Sequence, residues 1–275
     1  MSPIMSRVNA PRRAKKIQRP LMGLPTKEFG ADVSVLDLSE ARSRLLESGV
    51  CDKLIAVKDM PSKDAKEVGQ MIDDIEASRE FMDFQEDVRN IFKTRYPDAT
   101  LVTEHGVVRF CSNDLSRAVR EPHTDQGVPR ASLHCLLETG VPKSNPRSKP
   151  INHRELLGKE IFDKLKRLVH HPNSLSIAPI SVWICLKSNS EATLRFVAPK
   201  DEYIKKDNPS VVYHRHLTDH AQLWALENNE EGLGVAFKTS RLPHFAVVAE
   251  EGDFRLSTEV RFHAVWEQSA HPVWP

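Results

Sequence analysis

The strongest constraint on the fold is a change of texture near residue 100. Before it, apolar residues recur at helical spacing. After it come short β-branched and aromatic runs, broken by Gly, Pro, Asn and polar turns. The runs are Thr100–Thr103, Val107–Phe110, Ser132–Leu137, Ile177–Leu186, Thr193–Val197, Gln222–Leu226, Val235–Phe237, Phe245–Val248 and Ser257–Trp266. Roughly eight short strands so spaced predict a barrel or sandwich. Upstream, Ser39 is expected to cap a short helix over Glu40–Ser48 that Gly49 ends. Ser62 after Pro61 opens a second, with Val68, Met71, Ile72 and Ile75 on one stripe. A third runs from Phe81 to Tyr96, with Phe84, Val88, Ile91 and Phe92 on one side. These helices read as scaffold packed on a sheet. One insertion interrupts the strands: a Lys143–Pro150 loop, then a helix over His153–Val169 with Leu157, Ile161, Leu165 and Leu168 in a stripe.

The predicted organisation is a flexible basic arm (1–30) followed by a single domain (31–275). That domain takes in the N-terminal helices (31–97) and the helical insertion (about 143–170). A chain of 275 residues has ample length for a core, since a domain of this size buries about three quarters of its unfolded surface. The arm carries Arg7, Arg12, Arg13, Lys15, Lys16 and Arg19 among prolines, with no apolar stretch after them, so it reads as a solvated leader and not a secretory signal. Basic and acidic residues number 39 and 38, a net charge of +1. That balance argues against a general attraction to nucleic acid or anionic membranes. No apolar run reaches the length of a membrane helix. Cys51, Cys111, Cys135 and Cys185 are scattered, without a CxxC pair, as expected of reduced thiols in an intracellular, cytoplasmic protein. A homodimer through the N-terminal helices is compatible with this composition.

The chemistry concentrates in His123-Thr124-Asp125, Pro243-His244 and Arg255-Leu256-Ser257. A His and an Asp one residue apart share a face when the backbone is extended. They then offer one imidazole and one carboxylate to a metal, and a distant His supplies the third ligand. Two His and one carboxylate with open positions is the donor set of non-haem Fe(II) oxygenases. Arg255 follows His244 by eleven residues and shares a strand face with Ser257. Together they offer a planar two-pronged donor and a hydroxyl for the carboxylate of a co-substrate. The same three ligands also suit a Zn-dependent hydrolase, and a non-catalytic or partner-dependent protein of the same fold is a further alternative. His214, His216 and His220 lie with Asp219 in a polar loop, and pocket lining is the reading favoured over a second metal site. His170-His171-Pro172 reads as a helix terminus. Trp183, Trp224 and Trp266 read as core, with Trp183 on a strand that should border the co-substrate. Arg109 and Phe110 read as packing residues near the substrate mouth. Glu259 and Arg261 fall on the face of Arg255 and Ser257, either re-aimed by a bulge or paired with each other.

This combination resembles the Fe(II)/2-oxoglutarate-dependent dioxygenases. More narrowly, it is similar to the fungal and bacterial hydroxylase/desaturase family grouped with cephem-methoxylase and gibberellin-desaturase-like proteins. The likeness covers roughly residues 90 to 267 and is most specific over Gly234–Trp266, with its Phe-Lys strand, Pro-His, and Arg-x-Ser-x-Glu-x-Arg. Ile180-Ser181-Val182-Trp183 resembles the family's mid-barrel strand. The sequence departs from the family pattern at Ser181 (usually Asn), at Ile184-Cys185 (usually Arg-Pro) and at Thr239-Ser240 (usually Asp-Ser). The resemblance implies a double-stranded β-helix (jelly-roll) barrel with an N-terminal helical segment, mainly β with flanking helices. It implies His123, Asp125 and His244 as iron ligands, and Arg255, Ser257 and Arg261 at the co-substrate. Fe(II), 2-oxoglutarate and dioxygen follow as cofactor and co-substrates. The expected reaction is hydroxylation or desaturation of a small natural-product intermediate in fungal secondary metabolism.

Overall fold

The computed structural model describes residues 22–23, 32–57, 64–112, 122–125, 128–142, 149–189, 194–197, 211–213, 223–225, 232–246 and 254–267. Most of the expected basic arm lies outside them, as do Pro61, Ser62, the 143–148 loop and the 214–220 histidine cluster.

The chain begins with β1 (Met22–Gly23) and β2 (Val33–Asp37), then four helices: α1 (Ser39–Glu47), α2 (Asp52–Ala56), α3 (Ala65–Glu76) and α4 (Arg79–Arg95). Ser39 is the first helical residue of α1 and not its cap; Leu38 holds the N-cap position, and Asp37 Oδ1 accepts from the Ser39 backbone N–H (3.0 Å) and hydroxyl (2.7 Å). Gly49 follows α1 with φ +77, the left-handed residue the sequence requires there. Asp64 and Ser78 accept first-turn N–H groups of α3 and α4. Next come β3 (Thr100–Thr103), β4 (Val107–Ser112) and β5 (His123–Asp125). Helices α5 (Pro129–Thr139), α6 (His153–Leu157) and α7 (Lys159–Leu168) lead to β6 (Leu175–Ser188). The chain closes with β7 (Leu194–Val197), β8 (Val211–Tyr213), β9 (Leu223–Ala225), β10 (Leu233–Lys238), β11 (His244–Ala246) and β12 (Phe254–Glu267).

Two six-stranded sheets result. One has the order β2-β10-β6-β12-β3, with β4 also paired to β12, and is antiparallel throughout. The other has the order β1-β9-β7-β11-β5-β8 and is antiparallel except for β1 beside β9. Alternation along β6 and β12 divides two apolar layers. Val182, Ile184, Leu256, Val260 and Phe262 face outward onto Leu45, Ile72, Phe81, Val88 and Phe92 of the N-terminal helices. Phe262 meets Phe92 edge-on at 4.9 Å. On the opposite face, Trp183, Cys185, Val235 and Phe237 meet Leu194 and Phe196 of the second sheet. Two antiparallel sheets closed face to face are consistent with the expected jelly-roll architecture.

Two elements depart from expectation. Ser132–Leu137 forms part of helix α5 instead of a strand. The insertion is two helices, not one, broken at Gly158 with φ +77. In its stripe Leu165 is buried but Ile161 is 45% exposed. Leu133, Leu136 and Leu137 of α5 and Leu165 of α7 pack on Val102, Leu175 and Val265, covering one end of the inner face. Among the described residues no helix is long and apolar enough to cross a membrane.

Candidate metal centre

His123 and Asp125 occupy the first and last positions of β5, so its pleat points both side chains to one face. Strand β11 pairs antiparallel with β5, and the register sets His244 directly opposite His123. Directly opposed residues hold their Cβ atoms about 5 Å apart, and that pairing joins two imidazoles 121 positions apart in the sequence. Their ring centroids are 4.4 Å apart. Asp125 Oδ1 stands 3.7 Å from His123 Nε2. One donor atom from each of His123, Asp125 and His244 lies within 4.8 Å of the others, and all three residues are buried. The backbone N–H of Asp125 donates to the Thr239 carbonyl at 2.8 Å, which ties β5 to the turn before β11.

Local contacts prepare the His244 ring for ligation. Its Nδ1 is 3.0 Å from the Leu242 carbonyl. A proton on Nδ1 satisfies that carbonyl and leaves Nε2 with its lone pair, the tautomer a metal requires. Burial first, and then the adjacent His123, push the His244 imidazole down to about 4. The ring therefore stays neutral at physiological pH.

Asp125 is held from its other side. Arg261 Nη2 is 3.6 Å from Asp125 Oδ2, while Oδ1 faces His123. Arg261 also donates from Nε to Glu259 Oε2 at 2.9 Å. Arg109 sits 3.7 Å from Glu259 Oε1. Arg109, Glu259, Arg261 and Asp125 thus form a row of alternating charge beside the triad. Burial pushes the Glu259 carboxyl up, but Arg261 and Arg109 outweigh it and hold the group well below the usual carboxylate range. Burial likewise opposes the charge on Arg261, and Glu259 and Asp125 overcome it. The sequence left open whether Glu259 and Arg261 pair, and the structure pairs them. It also gives Arg109 a polar role that the packing reading did not anticipate. The available signal was the two-residue period of β12, which aligns residues 255, 257, 259, 261 and 263 on one face.

Arg255 and Ser257 sit farther along that face, exposed by 1% and 0%. Arg255 donates to Cys111 Sγ at 3.3 Å, and its guanidinium carbon lies 6.0 Å from the Trp183 ring centroid. Trp183, whose strand is expected to border the co-substrate, lies beside Arg255. Ser257 Oγ is buried without a hydrogen-bond partner among the described residues. A buried hydroxyl in that state is costly unless something accepts from it or donates to it. At the opposite end of the row, His263 Nδ1 is 3.1 Å from Glu104 Oε1, both fully buried.

The fold thus sets two imidazoles and a carboxylate on adjacent, paired strands of one of its two sheets. No family model matches the chain. No curated protein matches it either. Among solved structures, the iron and alpha-ketoglutarate-dependent endoperoxidase NvfI aligns with a TM-score of 0.50 at 14% identity, over 86% of this chain and 79% of that one. A second NvfI structure, with a different conformation, gives the same values: 0.50, 14%, 86% and 79%. At this identity the likeness is one of fold.

Proposed function

We propose that the protein is an Fe(II)- and 2-oxoglutarate-dependent oxygenase acting on a small organic substrate. The observation that carries this reading is the convergence of His123, Asp125 and His244 from two adjacent, paired strands into one buried donor set. Its chemistry suits a borderline divalent ion and leaves positions open beside it. The Ser257 hydroxyl, buried without a partner among the described residues and two residues from Arg255, supports a ligand with a carboxylate end. NvfI, which shares the fold, is iron and alpha-ketoglutarate-dependent.

On this reading His123, Asp125 and His244 would hold the metal. Arg255 and Ser257 hold the distal carboxylate of 2-oxoglutarate, with Trp183 fixing the guanidinium from the side. Arg261 already carries two carboxylates, and its part is to orient Asp125. The apolar wall of Phe196, Phe237 and Leu242 keeps water from the centre. When bound, iron and 2-oxoglutarate supply oxidation of an unactivated carbon by dioxygen, with release of succinate and carbon dioxide. Hydroxylation or desaturation of a natural-product intermediate is the outcome that the family resemblance supports.

The test is anaerobic addition of Fe(II) and 2-oxoglutarate to the metal-free protein, followed by exposure to air. A visible charge-transfer band followed by succinate release is expected, and both vanish in His123→Ala. Arg255→Leu should keep metal binding yet raise the 2-oxoglutarate requirement roughly a hundredfold, as when one partner of a buried charge pair is removed at about 3 kcal/mol. Undiminished succinate release by His123→Ala sinks the assignment.

A further inference from the structure

A second group of potential metal donors lies at the surface between α5 and the end of α7. His134 and Glu138 are one turn apart on α5, so both project from the same edge of that helix. His134 Nε2 is 3.8 Å from Glu138 Oε1. His170, just past the end of α7, brings its ring to 4.7 Å from that of His134, inclined at 72°. One donor atom from each residue falls within 4.8 Å of the others. Donors in a tetrahedral zinc site stand roughly 3.3 Å apart, given bonds of about 2.0–2.1 Å. Side chains this exposed reach that spacing by small rotations, with no movement of the backbone.

We propose that His134, Glu138 and His170 form a solvent-open site for a borderline divalent ion such as zinc, separate from the buried triad. Two imidazoles and one carboxylate favour zinc, nickel or copper over the hard ions magnesium and calcium. Cys135 takes no part, because its Sγ faces Thr139 and the Val141 carbonyl. The resident competitor is Lys166, whose Nζ lies 3.0 Å from Glu138 Oε1. Their side chains are 35% and 41% exposed, and an ion pair open to water to that degree contributes little.

An ion here would join α5 to the end of α7. These helices already share the apolar cluster of Leu133, Leu136 and Leu165. Arg130 adds a second link: its guanidinium donates to the Val169 carbonyl at 2.9 Å and the Leu175 carbonyl at 3.1 Å. The donors are therefore presented by two segments that are fixed relative to each other without metal. Such preorganisation lowers the ordering cost of binding.

The experiment is zinc titration of the full-length metal-free protein by calorimetry, compared with a His134→Ala/His170→Ala variant. Wild type should bind one more equivalent than the variant, with a dissociation constant on the order of micromolar, unaffected by millimolar magnesium. The comparison holds whether or not the triad takes up zinc, since the triad contributes equally to both proteins. Glu138→Gln should weaken the additional site at least tenfold, and Lys166→Met should tighten it about threefold by removing the competitor. Cobalt should give visible d–d absorption whose intensity falls by the share of this site in the variant. Equal stoichiometry and affinity in wild type and double variant overturn the proposal, as does indifference of the additional site to Glu138→Gln. The substituted positions are at the surface, so thermal melting without metal should be unchanged.

Discussion

The two oxygens of Asp125 face different partners, Oδ1 toward His123 and Oδ2 toward Arg261. If Asp125 holds the proposed metal, the guanidinium on its outer oxygen would orient the carboxylate. Arg261→Gln should weaken metal binding about tenfold to a hundredfold, as seen when groups that orient a ligand are lost. Titration of the metal-free protein with Co(II) or Mn(II) checks this, and unchanged affinity would show that Arg261 serves Glu259 alone. The same change leaves Glu259 with Arg109 as its remaining cation and should cost a few kcal/mol of stability, about 3 by analogy with other broken buried pairs. His244 gives a pH prediction. Its folded-state value near 4 lies below the ordinary imidazole value, so the unfolded chain binds that proton more readily. Stability of the metal-free protein should be complete above about pH 6.5 and decline as pH falls toward 4, by up to about 3 kcal/mol. Urea titrations across that interval measure it, and a flat profile would mean that His244 protonates freely in the folded state. The identity of these residues was legible in the sequence. The allocation of Arg261 was not, because a guanidinium on a strand face has several carboxylates within reach and only packing chooses among them.

Helix α5 shows why a short apolar run misleads. Ser132–Leu137 contains Leu133, Leu136 and Leu137, a spacing too brief to separate a buried strand from one face of a helix. The deciding signals stood at the ends: Pro129 at the first helical position and Gly140 past the last. Gly140 has φ +69, and a Cβ there would stand 2.5 Å from the Ile151 carbonyl oxygen. Gly140→Ala should therefore destabilise the protein by about 2 kcal/mol or more, through backbone strain and displacement of the chain leading into α6. Urea unfolding checks it; a loss below half that size would mean that the turn relaxes freely. In the insertion, Gly158 divides a stripe that reads as one helix, and within α7 Leu165 is buried while Ile161, one turn earlier, is exposed. The long strands β6 and β12 were legible over Ile177–Leu186 and Ser257–Trp266, where β-branched, aromatic and other apolar residues concentrate.

At the scale of the whole molecule, one sheet is covered on both faces, by helices on one side and by the second sheet on the other. Burial of three of the four cysteines follows from that layering: Cys51, Cys111 and Cys185 are buried, whereas Cys135 on α5 is partly open. Burial, with a contribution from Asp52, pushes the Cys51 thiol up to about 12. A thiol reagent should therefore titrate no more than one cysteine in the native protein and all four after denaturation. Rapid reaction of two or more in the native state would contradict the layering. The sequence by itself determined which candidate donor side chains are present, the pleat that aligns His123 with Asp125, and the alternation that sends Arg255 and Ser257 to one face. Those are local consequences of backbone geometry. The tertiary structure alone decided that His244 lies opposite His123, that Arg261 serves Asp125 and Glu259, and that His170 meets His134. Each of these depends on strand register or helix docking between distant segments, which packing of the whole chain selects.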